Sequence, residues 1–322
     1  MRSVRMKKFG APDVLVVEET PMPKPGVDEV LVRMEAAGIN YLDLYQRRGA
    51  YPVSLPFTPG QEAAGTVTEV GPGVRWVVPG DRVGWLLTPG AYAEYQVVPE
   101  RWVVPVPPGL SMQVAAAILF QGITAWLWTR AVYPVRAGQH VLVHAAGTGV
   151  GRLLVQMSRA QGAHVFGTTD KAEKLAAATA AGAEATALTT SNNLFQVVRD
   201  WTGGLGVHVV YDGVGGPTWE TSLSAVRIRG TVVSFGQAGG PVPNVDISIL
   251  GQRGSLTLTR PVLADYLLTT EDRQAAARAV FDGVIANTWG PAIDKIYPLD
   301  EASDAHRRLE SGDARGKILL VP

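Results

Sequence analysis

Residues 140–156, HVLVHAAGTGVGRLLVQ, run from an apolar stretch through a glycine-rich turn into an amphipathic one. Glycines let a backbone approach a pyrophosphate, and the N-terminus of a following helix offers free N–H groups and a favourable dipole. Gly147, Thr148, Gly149, Val150 and Gly151 are therefore candidate dinucleotide contacts. The turn departs from a strict GxGxxG, because Ala146 and Thr148 stand at the two positions before Gly151. Alone it also suits a plain strand-to-helix turn. HVFGTT at 164–169, about 20 residues on, supplies the next strand that a dinucleotide fold requires.

The stretch VFGTTDKAEK (165–174) carries two opposed signals, Asp170 and Lys174. An acid after the second strand favours a free ribose hydroxyl, hence NAD; a base favours a 2′-phosphate, hence NADP. D-K-A-E at 170–173 fits a capping box with Asp in place of Ser or Thr, which gives Asp170 a structural task as acceptor for the Glu173 N–H. Lys174 falls on the first helical turn, where a cation is poorly placed unless an anion lies near.

Metal and nucleophile chemistry find little support. The chain has no cysteine, which excludes thiolate metal sites, disulfides and a cysteine nucleophile. His140 and His144 lie four apart on a predicted strand, about 13 Å from each other and too far for one metal. His164, His208 and His306 show no useful spacing, and no Ser, His and acid set forms a recognisable triad.

The elements that must position these residues are legible in the texture of the chain. Its 322 residues suit about two domains. With 46% apolar and 18% charged residues it reads as an ordinary globular protein. The 29 basic and 29 acidic residues balance, which argues against a nucleic-acid partner. The N-terminus lacks an apolar signal region and no run of about 18 apolar residues stands out, so a cytoplasmic protein with no membrane partner is expected. Over residues 1–110, DVLVVEE, EVLVRME, AGTVTEV, DRVGW and AYAEYQVV are short strands between Pro and Gly turns. From 111 onward the chain alternates helix and strand, which implies a parallel sheet covered on both faces. The last strand, KILLVP, can return to the first domain and leave the nucleotide domain as an insertion.

Six segments in unbroken order, AAGINYLDLYQRRGAYP, LPFTPGQEAAGTV, VHAAGTGVGRLLVQ, VYDGVGGPTWETSL, VSFGQAGG and LTRPVLADY, resemble the zinc-free, ζ-crystallin-like quinone oxidoreductases of the medium-chain dehydrogenase/reductase superfamily. The resemblance implies an α/β fold: a GroES-like β domain (1–124 plus 262–322) with an inserted Rossmann domain (125–261), a doubly wound parallel sheet. It implies a homodimer, for which 245–261 is a β-prone seam, and an NADPH-dependent, zinc-independent quinone reductase, with NADH the lesser cofactor. Reduction of an enone or enoyl thioester is the enzymatic alternative, and a crystallin-like NADPH- or RNA-binding protein the non-enzymatic one.

Zinc-dependent relatives bind their metal through a Cys and a His where this chain has Asn40 and Gln61, so no metal is expected. A quinone needs less electrophilic help than a ketone, and hydrogen-bond donors can supply it. The resemblance places Asn40, Tyr45 and Tyr51 around nicotinamide and quinone, Arg260 at the cleft, and Thr124, Phe235, Gly236 and Lys317 on the cofactor. Asp43 is expected to orient its loop, and Gln61 and Glu62 to brace a wall. Thr169 stands at the NAD-selecting position and Lys174 at the 2′-phosphate, although Asp170 and Thr189 depart from the family pattern there.

Overall fold

The computed structural model describes the whole chain, Met1–Pro322. It divides into two compact units, Met1–Ile123 with Leu267–Ile285 and Pro291–Pro322, and Thr124–Tyr266 with Ala286–Gly290.

In the first unit, alternating apolar residues build a seven-stranded sheet around Glu29–Gly38, with Glu62–Val70, Arg82–Leu86 and Val103–Pro105 stepping away in order. Tyr95–Pro99 also pairs with Glu29–Gly38, antiparallel. On the other side the C-terminal strand Lys317–Val321 joins antiparallel, with Leu319 opposite Gly38 and Leu320 opposite Ala37. That register sets Lys317 beside the loop at residue 40, and Ile39 N–H donates to Ile318 O at 3.0 Å. Val30, Val32, Met34, Trp85, Tyr92 and Ile318 are among the buried core residues. This is the GroES-like domain.

The second unit holds six parallel strands in the spatial order Ala185–Leu188, His164–Thr169, His140–Val143, Val207–Asp212, Val226–Ser234, Thr257–Thr259. Numbered within this sheet the order is 3-2-1-4-5-6, the doubly wound Rossmann arrangement. Fully buried Val141, Leu142, Val165, Val209 and Val210 explain the apolar runs, because both faces are covered.

Several local expectations need correction. Residues 245–261 are not one β-prone seam. Asp246 Oδ1 accepts the Ser248 N–H at 2.9 Å and starts a helix, Ser248–Gln252, leaving only Thr257–Thr259 as strand. Segments 262–266 and 286–290 pack with the second unit. There Tyr266 meets Trp128 edge to face, and Gly290 N–H donates to Gln156. Helix Met112–Leu127, continued to Val132, is long and apolar enough to cross a membrane by length and composition. The segment was expected to be helical but not to offer a membrane span, and 72% of its apolar window is buried.

Candidate functional site

The helix Tyr41–Arg48 begins at Asn40, whose backbone N–H donates to Asp43 Oδ2 at 2.8 Å. Asn40 is buried, and its amide is engaged within the protein. Nδ2 donates to Glu62 Oε1 (3.0 Å) and Gly38 O (3.4 Å), while Oδ1 accepts from Lys317 Nζ at 2.8 Å. Asn40, expected as a hydrogen-bond donor, thus has its amide held by three groups of its own domain. A buried ammonium must find acceptors, and Asn40 is one of them.

Lys317, expected on the cofactor, has its side chain fully buried in the first unit against Glu62. The other Glu62 oxygen accepts the Phe120 N–H at 2.7 Å. Gly38 makes this possible, because a Cβ there would fall on Glu62 Oε1 and Lys317 Cε. The glycine of AAGIN is thus a space requirement for an ion pair. Tyr45 and Tyr51 stand together, rings edge to face with centroids 5.4 Å apart, Tyr51 being 42% exposed. Gln61 is buried and donates to Gln46 Oε1 at 3.0 Å.

Behind Asn40 runs a buried chain that sequence reasoning missed. Arg47 Nη1 faces His306 Nδ1 (3.3 Å), His306 Nε2 faces Tyr92 Oη (3.1 Å), and Tyr92 Oη donates to Asp43 Oδ2 (3.0 Å). A guanidinium only donates, so His306 accepts on Nδ1 and carries its proton on Nε2. Every bond then points toward Asp43. Burial pushes the Asp43 carboxyl up to about 7, against the lowering effects of Asn40 N–H, Lys317 and Tyr92. Burial, with Arg47 and Arg48, pushes His306 down to about 3. The pattern N-x-x-D at 40–43 carried part of this signal; His306 is 263 residues from Asp43 and carried none.

In the second unit the glycine turn follows strand His140–Val143, and the helix starts at Gly149, two residues before the expected position. Thr148, at the N-cap, makes no side-chain capping bond, so the first-turn N–H groups stay available to an anion. A Cβ on Gly151 would strike the Ala145 carbonyl, and one on Gly147 would lie 2.8 Å from Lys174 O. The turn therefore packs directly on the Lys174 segment. These are features of a cradle that suits a dinucleotide pyrophosphate.

The expected Asp170 cap does not form as read. Lys171 is the N-cap of the turn Ala172–Lys174, without a side-chain cap bond. Asp170 instead accepts from Lys174 Nζ, at 2.8 and 3.1 Å, because an otherwise buried ammonium attracts the nearest carboxylate. Thr169 Oγ1 donates to Lys171 O, and Thr189 Oγ1 donates to Thr169 O, tying the two strand ends. Farther along the carboxyl edge, Phe235 N–H donates to Asp212 O, and Arg260 Nη1 donates to Ser234 Oγ (3.2 Å) and Gly236 O (3.0 Å). Thr124, buried, belongs to the helix Met112–Leu127. The structure thus gathers Gly147–Gly151, Thr169–Lys174 and Phe235, Gly236 and Arg260 on one edge of the parallel sheet. It gathers Asn40, Glu62 and Lys317 in the first unit.

Residues 26–108 match the alcohol dehydrogenase GroES-like domain and residues 149–280 the zinc-binding dehydrogenase family. A quinone oxidoreductase of Pseudomonas aeruginosa is 39% identical over 100% of this chain and 99% of its own. A 2-haloacrylate reductase of a Burkholderia species is 36% identical over 98% and 97%. The crystal structure of Escherichia coli quinone oxidoreductase complexed with NADPH superposes with a TM-score of 0.97 at 37% identity, covering 100% of both chains. With full-length identity at this level on both halves of the fold, the chain belongs to the quinone oxidoreductase family of the medium-chain dehydrogenase/reductase superfamily.

Proposed function

We propose that the protein is an NADPH-dependent quinone reductase that works without zinc. The observation that carries this reading is the glycine cradle packed on Lys174, in a chain similar over its full length to a quinone oxidoreductase complexed with NADPH. When bound, the dinucleotide supplies the reducing equivalents. The chain's own residues hold and orient. Gly147–Gly151 and the uncapped helix start receive the pyrophosphate. Lys174 turns from Asp170 toward the 2′-phosphate, while Thr169, Phe235, Gly236 and Arg260 shape the rest of that edge, with Thr124 at the nicotinamide amide. In the first unit Tyr45 and Tyr51 offer an aromatic surface for a flat ring. Asn40 acts as a positioning residue, locked by Glu62 and Lys317, which themselves brace the wall. Asn40 and Gln61 stand where zinc-binding relatives have Cys and His, and neutral amides make poor zinc ligands.

Steady-state rates with a 1,4-quinone, an ortho-quinone, an enone, crotonyl-CoA and 2-chloroacrylate test the reading. Quinones are expected to give the largest kcat/KM, with NADPH preferred to NADH. Quinone reduction no faster than the uncatalysed control removes it. The likeness to a 2-haloacrylate reductase supports a second reading, reduction of an activated C=C bond, which a higher kcat/KM for 2-chloroacrylate or the enone would establish. A homodimer paired through the sheet edge at Thr257–Thr259 is part of the proposal, and a monomeric mass in light scattering counts against it.

A further inference from the structure

At the amino end of the parallel sheet, opposite the edge that carries the glycine turn, the register between two strands jumps. Val207 faces Val226, yet Val209 already faces Thr231. Arg227–Gly230 is therefore extruded as a bulge, a device that re-aims side chains. Arg229 within it lies at φ +58, a conformation that bulky residues rarely adopt and that clusters where a backbone is held for a purpose. Arg227, Ile228, Arg229 and Gly230, with Tyr133 and His208, line a pocket of about 250 Å³. None of these residues is acidic. Arg136 adds a third guanidinium near Tyr133, alongside Arg227.

Two pocket side chains direct donors at one another. His140 N–H donates to His208 Nδ1 at 3.1 Å, so a neutral ring carries its proton on Nε2. That nitrogen lies 2.7 Å from Arg227 Nη1, and a guanidinium cannot accept. Both nitrogens are donors, and each needs an acceptor. Protonating the ring adds a second donor and worsens the mismatch.

We propose that this pocket binds a small oxyanion of the phosphate class, which accepts from His208 Nε2–H, Arg227 and Arg229. Its size falls below the roughly 300–1,000 Å³ of sites for larger ligands, which favours an anion the size of orthophosphate over a nucleotide. The pocket is separate from the proposed dinucleotide cradle, which occupies the carboxyl edge of the same sheet.

Nuclear magnetic resonance of ¹⁵N-histidine-labelled, NADPH-saturated protein tests this, titrating orthophosphate against chloride at constant ionic strength. The His208 signal, assigned with His208→Gln, reports the pocket directly and is expected to shift saturably. The double variant Arg227→Gln, Arg229→Gln changes two exposed side chains and is expected to weaken binding by about tenfold or more. Unchanged signals from buried His144 and His306 show that the variant is folded. Absence of a saturable His208 shift up to about 20 mM phosphate overturns the proposal, as does an equal midpoint in the double variant. A tighter His208 response to AMP than to orthophosphate overturns the assignment to a small anion.

Discussion

Lys174 and Lys317 both end on a carboxylate, one in each unit, and the two pairs differ in kind. Lys317 and Glu62 have 0% side-chain exposure and lie 255 residues apart in the chain. Lys174 is 7% exposed, but Asp170, four residues away, is 54% exposed. Removing two charges from water is offset only when their remaining hydrogen-bonding groups are satisfied as well. Asn40 and the Phe120 N–H serve that purpose in the first unit. Asp170 keeps much of its hydration, so its pairing with Lys174 is expected to contribute little to stability. One pair is sealed from water; the other is half-solvated.

The largest expected effect breaks the buried pair. Glu62→Ala leaves the Lys317 ammonium without its counter-charge and should destabilise the protein by about 3–5 kcal/mol in urea unfolding. A loss below about 1 kcal/mol would show that the two lysines are not different in kind.

Next comes the pH dependence of the chain behind Asn40. Asp43, raised from 3.8 to about 7, binds more protons folded than unfolded between those values, so its contribution is lost as pH rises through that window. His306, lowered from 6.5 to about 3, binds more protons unfolded, so its contribution is lost as pH falls from 6.5 toward 3. The two slopes oppose each other between about pH 4 and 6.5. Wild-type stability should change little there on their account. Asp43→Asn should unmask a rise with pH of up to about 1.4 kcal/mol per unit. Denaturation midpoints from pH 4 to 7 decide it, and parallel profiles for both proteins count against opposed titrations.

Lys174→Ala is expected to raise the KM for NADPH about tenfold, or about 1.4 kcal/mol, and that for NADH much less. Equal changes for the two cofactors would return selectivity to Asp170. The smallest effect belongs to Asp170→Ala, which should cost less than about 1 kcal/mol of stability. A loss as large as that of Glu62→Ala would make Asp170 a structural partner rather than an exchangeable one.

The helix–strand alternation after residue 111 was legible because both faces of a parallel sheet are buried, which writes apolar runs such as HVLV and VHVVYD into the chain. The glycine turn was legible for a local reason too, since close approach of backbones admits no side chain. The short strand Ala185–Leu188 was not singled out, because four half-buried residues carry little pattern. At the candidate site, the hydrogen-bond partners of the named residues were not legible. Asn40 and Lys317 were singled out separately, while their meeting depends on the C-terminal strand pairing beside Glu29–Gly38. Three histidines without useful spacing in sequence, His140, His164 and His208, stack on adjacent strands.

The sequence by itself therefore determined the two kinds of domain, the glycine turn and the residue types available for chemistry, because periodicity, glycine and composition act over a few neighbouring positions. Only the tertiary structure decided which charge meets which. Burial and hydrogen-bond completion are properties of positions far apart in the chain, and they paired Lys317 with distant Glu62 out of water while Lys174 met its half-solvated neighbour Asp170.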